Sequence, residues 1–154
     1  MLKGKKILLG ISGGIAAYKC PELIRQLIAE GAEVRVVTTQ NALWFVTPVT
    51  LQTLSHNKVY SEVFEPVSQF NPEHISHADW ADALLVAPAT ANIIGKFANG
   101  IADDALSTTF LAFDKPVFIA PAMNNKMYEH PVVQRNIREL RAIDVQFIEP
   151  AYGE

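Results

Sequence analysis

The sequence predicts a three-layer α/β/α domain of Rossmann-like build around a parallel sheet, and three observations carry that reading. The residues Lys6 to Ser12 (KILLGIS) form a nearly continuous apolar run that ends in Gly13-Gly14, after which apolar residues return at helical spacing through Leu23, Leu27 and Ile28. The helix is expected to stop at Gly31, and Glu33 to Thr38 (EVRVVT) follows as a strand rich in β-branched residues, completing a βαβ unit. Such a unit crosses over right-handed and implies a parallel sheet covered by helices on both faces. The pattern then recurs: Ala83 to Ala87 (ALLVA) and Pro116 to Ala120 (PVFIA) read as buried strands, helical stretches lie near 90–112 and 125–141, and a last strand is expected at Val145 to Ile148.

A chain of 154 residues that is 49% hydrophobic fits one domain with one core. The 19% charged fraction and formal net charge of −3 give no broad basic field, so nucleic acid is not an expected partner and small molecules or protein subunits are. Cys20 is the sole cysteine, which excludes an internal disulfide and a cysteine-based zinc cluster and fits a reduced, cytoplasmic setting. The apolar run from Ile7 to Leu9 is too short for a signal-peptide core or a membrane span. Between Phe64 and His74 the periodicity is lost and Pro66, Ser68, Asn71 and Pro72 appear, the composition of a surface loop.

In an open α/β sheet the ligand lies outside the carboxyl ends of the strands. The segments that follow the strands read Ser12-Gly13-Gly14, Thr38-Thr39-Gln40, Pro88-Ala89-Thr90-Ala91-Asn92 and Pro121-Ala122-Met123-Asn124. All are small and polar, and three are expected to open helices, whose unpaired N–H groups favour an anion such as phosphate. Gly13-Gly14 allows close backbone approach to a phosphate, with the Ser12 hydroxyl as a further donor, or is an ordinary glycine turn. The string from Gly10, GISGGIA, lacks the G-x-G-x-x-G fingerprint, and no acidic residue ends the second strand to hold a ribose diol, which argues for a mononucleotide over NAD. The same string formally matches the G-x-S-x-G nucleophile elbow, but it lies on the first strand, where a hydrolase would have several strands before it. Thr90 or Asn92 can cap a helix and Gly100 can end one, roles that coexist with ligand binding. Asn124 can likewise cap a helix or donate its amide to a substrate carboxylate.

His74 and His77 lead into the Ala83 strand, and histidine is the side chain best suited to moving protons near neutral pH. Their spacing would permit two metal ligands, but no third is evident nearby and no metal is expected. His56 and His130 read as solvated surface residues, and Cys20 as packing. Trp44, Phe45 and Trp80 are large enough to be core or to flank a planar ring, and sequence alone does not choose.

Together these segments resemble the homo-oligomeric flavin-containing cysteine decarboxylases, and within them the N-terminal decarboxylase part of the bacterial coenzyme A flavoproteins. The resemblance rests on SGGIAAYK (12–19), His74-Ile75 followed by WAD (80–82), APATAN (87–92), GIADD (100–104) and PAMNNKMY (121–128), in that order over nearly the whole chain. It implies a flavodoxin-like fold, FMN as cofactor and decarboxylation of 4′-phosphopantothenoylcysteine to 4′-phosphopantetheine. It further implies that Ser12, Gly13, Gly14, Ile15, Thr39, Phe45, Pro88, Ala89, Thr90, Ala91 and Ala122 contact the FMN, that Met123 and Asn124 bind substrate, and that His74 is the essential histidine. In this family the flavin oxidises the cysteine moiety to a thioaldehyde that loses CO₂, the cofactor supplying the redox step and the protein the geometry. A homotrimer, or a dodecamer of trimers, with FMN sites at subunit interfaces is implied as well. The alternatives are a peptidyl-cysteine decarboxylase and a non-catalytic regulatory flavoprotein subunit; the presence of both His74 and Asn124 argues against the latter.

Two departures accompany the resemblance. The sequence ends at Tyr152-Gly153-Glu154, about where the family enters a flap carrying the cysteine of the final reduction, and Cys20 sits too early to replace it. The expectation is one flavoprotein domain over 1–154, with that flap beyond the present sequence. His77 replaces a residue that is usually apolar, and it is expected not to be essential.

Overall fold

The computed structural model describes residues 1–61 and 73–149, the side chains of 73–75 excepted. Five parallel strands lie in the order β2-β1-β3-β4-β5: β1 (Lys6–Ile11), β2 (Glu33–Thr38), β3 (Ala83–Ala89), β4 (Val117–Pro121) and β5 (Gln146–Phe147). Between them run α1 (Cys20–Ala29), α2 (Pro48–Ser55), α3 (Glu73–Trp80), α4 (Ala91–Asn99), α5 (Ala105–Leu111), α6 (Asn125–Glu129) and α7 (Pro131–Ala142). This strand order is the second common doubly wound arrangement, whose switch point falls between β1 and β3.

Burial explains the elements. Alternate strand residues feed two cores: Leu9, Ile11, Val34 and Val36 pack with Ala17, Ile24 and Leu51 on one face, and Leu8, Val37, Leu84, Val86 and Ile119 pack with Ile93, Leu106, Phe110 and Ile137 on the other. A strand buried on both faces must read as an unbroken apolar run, which is why β1 was legible in the sequence. Helices lie on both faces, as expected, but unevenly. Helices α1 and α2 cover only the β1–β2 end of their face, whereas α3 to α7 pack on the opposite one. Among the described residues nothing covers that first face over β4, and Phe118 is 36% exposed there.

Element bounds also moved. The stretch near 90–112 is two helices, because Gly100 ends α4 at φ 68 and Asp104 starts α5 with a capping box shared with Ser107. The stretch near 125–141 divides at His130, after which Pro131 supplies the first residue of α7. Strand β3 runs two residues beyond Ala87, β4 starts after Pro116, which has no N–H to give the ladder, and β5 is shorter than expected. The expected loop from Phe64 lies mostly outside the described residues, and its last member, His74, belongs instead to the first turn of α3.

The β1–β2 ladder runs level to Ile11 opposite Thr38, and β3 meets β4 at Ala89 opposite Pro121. All four strands therefore end at one edge, and the four small polar segments fall there side by side.

Candidate functional site

The four segments are bonded into a continuous rim. Thr39 N–H donates to Ile11 O at 3.0 Å, Ser12 N–H to Pro88 O at 3.2 Å and Ala122 N–H to Ala89 O at 2.9 Å. The Ser12 hydroxyl donates to Pro88 O at 2.7 Å and accepts from Thr90 N–H at 3.0 Å, and the residue is 1% exposed. Its hydroxyl thus points inward to join β1 to β3 and does not face outward as the donor that the sequence reading expected. Both this pairing and the burial also dispose of the nucleophile elbow.

All four segments, not three, open helical turns. Thr39 accepts from Ala42 N–H at 3.3 Å, Thr90 from Ile93 N–H at 3.2 Å and Asn124 from Met127 N–H at 2.9 Å, each the third residue of its helix. Gly14 precedes the short 3-10 helix Ile15–Lys19 without a side-chain cap. Helix starts carry partial positive charge. No aspartate or glutamate occurs within 12–15, 38–41, 88–92 or 121–125, so these four segments bring no carboxylate against an anion. The capping reading and the ligand reading hold together here. A cap uses only the side-chain oxygen, and at Asn124 it directs the amide nitrogen, with two N–H donors, away from the helix.

Gly13 is required by packing. A Cβ there would fall on the Cβ of Asn41 and lie 3.0 Å from its carbonyl carbon, so the glycine lets the β1 turn nest against the β2 turn. Gly13→Ala is expected to lower stability by about 1–3 kcal/mol, read as a lower urea midpoint at unchanged slope.

The remaining residues sort by accessibility. Pro88 and Ala89 are buried and build the rim, while Thr90, Ala91, Ala122 and Met123 are half-buried and Ile15 and Asn124 exposed upon it. Phe45 is 44% exposed and Trp44 85%, so neither is core; Trp80 is half-buried, its ring 4.2 Å from the Arg35 guanidinium carbon. Cys20 is packing, as expected: it is 2% exposed, its thiol bonds to Ala87 O at 3.3 Å, and burial pushes its pKa up to about 12. His56 is exposed at φ 64 ending α2, and His130 is exposed with Nδ1 accepting from Val132 N–H to start α7. In the GIADD segment, Lys96 lies 2.8 Å from Asp103 and 2.7 Å from Asp104. Burial works against its charge, but the two carboxylates outweigh it and leave the ammonium above its ordinary value.

Residues 1–154 match the Flavoprotein family throughout. The chain belongs to the Flavoprotein family. Among curated relatives, this Flavoprotein chain is 52% identical over 153 residues to the coenzyme A biosynthesis bifunctional protein CoaBC of Bacillus subtilis (strain 168), covering 99% of the chain and 38% of that relative. It therefore spans well under half the length of the curated relatives it matches most fully. Among solved Flavoprotein-like structures, the FMN-dependent cysteine decarboxylase SpaF superposes with a TM-score of 0.91 at 33% identity, over 99% of this chain and 88% of that one. A PPC decarboxylase variant complexed with pantothenoylaminoethenethiol superposes with a TM-score of 0.82 at 32% identity, over 94% and 81%.

Sequence reasoning missed three features of this Flavoprotein site. The nesting of Gly13 on Asn41 and the inward Ser12 hydroxyl depend on chain-distant neighbours. The third is the packing of α3: Arg35 of β2 donates from Nη1 to His77 Nδ1 at 3.4 Å. No local pattern announces these contacts.

Proposed function

We propose that this chain holds FMN along the rim and, with it, decarboxylates 4′-phosphopantothenoylcysteine towards 4′-phosphopantetheine in coenzyme A biosynthesis. The observation that carries the reading is the convergence of helix starts at Gly14, Thr39, Thr90 and Asn124 on one acid-free edge. The donor set suits FMN: a phosphate there meets backbone N–H groups and small side chains of four segments that carry no carboxylate of their own. The half-buried Ala122 and exposed Phe45 offer apolar surface for a planar ring beside it.

When bound, the flavin supplies the two-electron oxidation of the cysteine CH₂–SH to a thioaldehyde, from which CO₂ departs because the thiocarbonyl accepts the electron pair. The protein's part is positional. Asn124, its oxygen tied to Met127 N–H, presents its amide nitrogen to the substrate carboxylate. Met123, half-buried beside Asn124, contacts the substrate as well, and His74, on α3, takes or returns a proton at the substrate thiol.

Ile15, Tyr18, Trp44 and Val49 are 62–85% exposed, an apolar set on the turns after β1 and β2 and the first turn of α2. It supports a site completed by further copies of the chain, a homotrimer or a dodecamer; the single, free Cys20 is what favours a reduced, cytoplasmic setting. A solved peptidyl-cysteine decarboxylase, EpiD, similar at 30% identity with a TM-score of 0.85, keeps a peptide cysteine as the second reading; the 52% identity to the coenzyme A protein favours the first.

The phosphate reading is tested by titrating flavin-free protein with FMN and with riboflavin. FMN is expected to bind at least about 100-fold tighter, the scale of a charged group held by two or more hydrogen bonds. Equal affinity would contradict the rim as a phosphate site.

A further inference from the structure

The contacts between β2 and α3 lie away from the rim, yet they hold the helix that bears His74. Helix α3 carries His74 in its first turn and His77 one turn later. Arg35, half-buried on β2, meets this helix twice: Nη1 donates to His77 Nδ1 at 3.4 Å, and the guanidinium carbon lies 4.2 Å from the Trp80 ring centroid. Tyr60, which pairs alongside β2 at Val37, adds a ring contact to His77 at 5.6 Å between centroids. An arginine can only donate, so Nδ1 is the acceptor and the ring proton sits on Nε2.

We propose that the His77–Arg35–Trp80 stack is a clamp that seats α3 on β2 and thereby positions the His74 backbone, with His77 a positioning residue. The proposal rests on the reading of His74 given above. Among the described residues, α3 also packs on α5 and β1 through the small buried Ala78 and through Ala81 just beyond it, and Lys115 Nζ donates to Asp79 O at 3.0 Å. Two alanines define a depth but not a rotation, whereas a planar guanidinium bonded on one side and stacked on another does.

The clamp has a consequence for pH. Protonating His77 removes the acceptor that Arg35 uses and sets a second cation against a permanent one. Among the described residues, the ionisable groups near it are Arg35 from β2, whose other ionisable residue is Glu33, and Tyr60 from the segment beside it. Glu73, His74 and Asp79 share α3, Lys6 is the one ionisable residue of β1, and α5 has none. Burial first, and the Arg35 charge second, hold the His77 imidazole below its ordinary value, so the seated form is the neutral one. A group whose value is lowered on seating binds more protons when unseated. The seating is therefore intact above the ordinary imidazole value and weakens as pH falls from there through the lowered one.

Hydrogen–deuterium exchange on the FMN-loaded protein at about pH 7.5 and about pH 5.5 tests this, with turnover measured on the same samples. After correction for the intrinsic pH effect, the amides of 76–81 are expected to lose about tenfold in protection at the lower pH, with kcat falling in parallel and KM steady. His77→Gln, which keeps an acceptor for Arg35 but does not titrate, is expected to remove the loss of protection. Arg35→Met is expected to lower protection of the same amides at both pH values. PH-independent protection in the unaltered protein, or a His77→Gln variant that keeps the loss, would overturn the clamp. If exchange follows the clamp while His74→Asn still turns over, the seating of α3 stands and the role of His74 falls.

Discussion

His74→Asn is expected to keep FMN and to lose turnover by about 10³-fold or more, the upper part of the range for removing a general acid or base. Asparagine has similar bulk and hydrogen-bonding reach but does not titrate near neutral pH. Structural damage is not the anticipated cause. The groups that seat α3, namely His77, Ala78, Trp80 and Ala81, all follow His74 in the chain, and the first helical turn tolerates asparagine. The check is twofold: an unchanged flavin absorption spectrum, and steady-state decarboxylation. A variant with the spectrum intact and normal turnover would remove His74 from the chemistry.

Asn124→Asp separates two roles that the wild-type residue combines. Aspartate caps a helix as well as asparagine does, so the bond from Met127 N–H survives and stability is expected to stay within about 0.5 kcal/mol. What changes is the outward group, from an amide donor to a carboxylate facing the substrate's carboxylate. Losing a hydrogen bond to a charged group costs about 1.5–3 kcal/mol and the like-charge contact adds to it, so kcat/KM is expected to fall by about 10²-fold or more. Asn124→Ala gives the complementary result, losing the donor and, at about 1 kcal/mol, the cap as well. An Asp variant as active as the wild type would reduce Asn124 to a cap alone.

Much of this site is local in the chain, which is why it was readable. A buried parallel strand must be apolar throughout, and where it leaves the sheet the next residues must turn, so Ser12-Gly13-Gly14, Thr38-Thr39, Pro88 to Asn92 and Pro121 to Asn124 stand out as abrupt changes of composition. The caps at Thr90 and Gly100 were legible for the same reason. Two helix breaks were signalled but read through: Asp104 with Ser107 spells a capping box, and Pro131 marks a first helical residue. The rest depends on residues far apart in sequence. Ser12 looked like a phosphate donor because its proximity to Pro88, 76 positions away, is set only by the β1–β3 pairing. The pairing of His77 with Arg35 was hidden because it lies across the β2–α3 contact. The open face over β4 follows from which side each crossover takes, a property of the whole topology.

The most direct test of the central claim is to load the purified chain with FMN, supply 4′-phosphopantothenoylcysteine, and determine the product by mass. The account predicts a product that has lost CO₂, absent when FMN is omitted. A yellow, FMN-loaded protein that leaves the substrate carboxylate in place would contradict it.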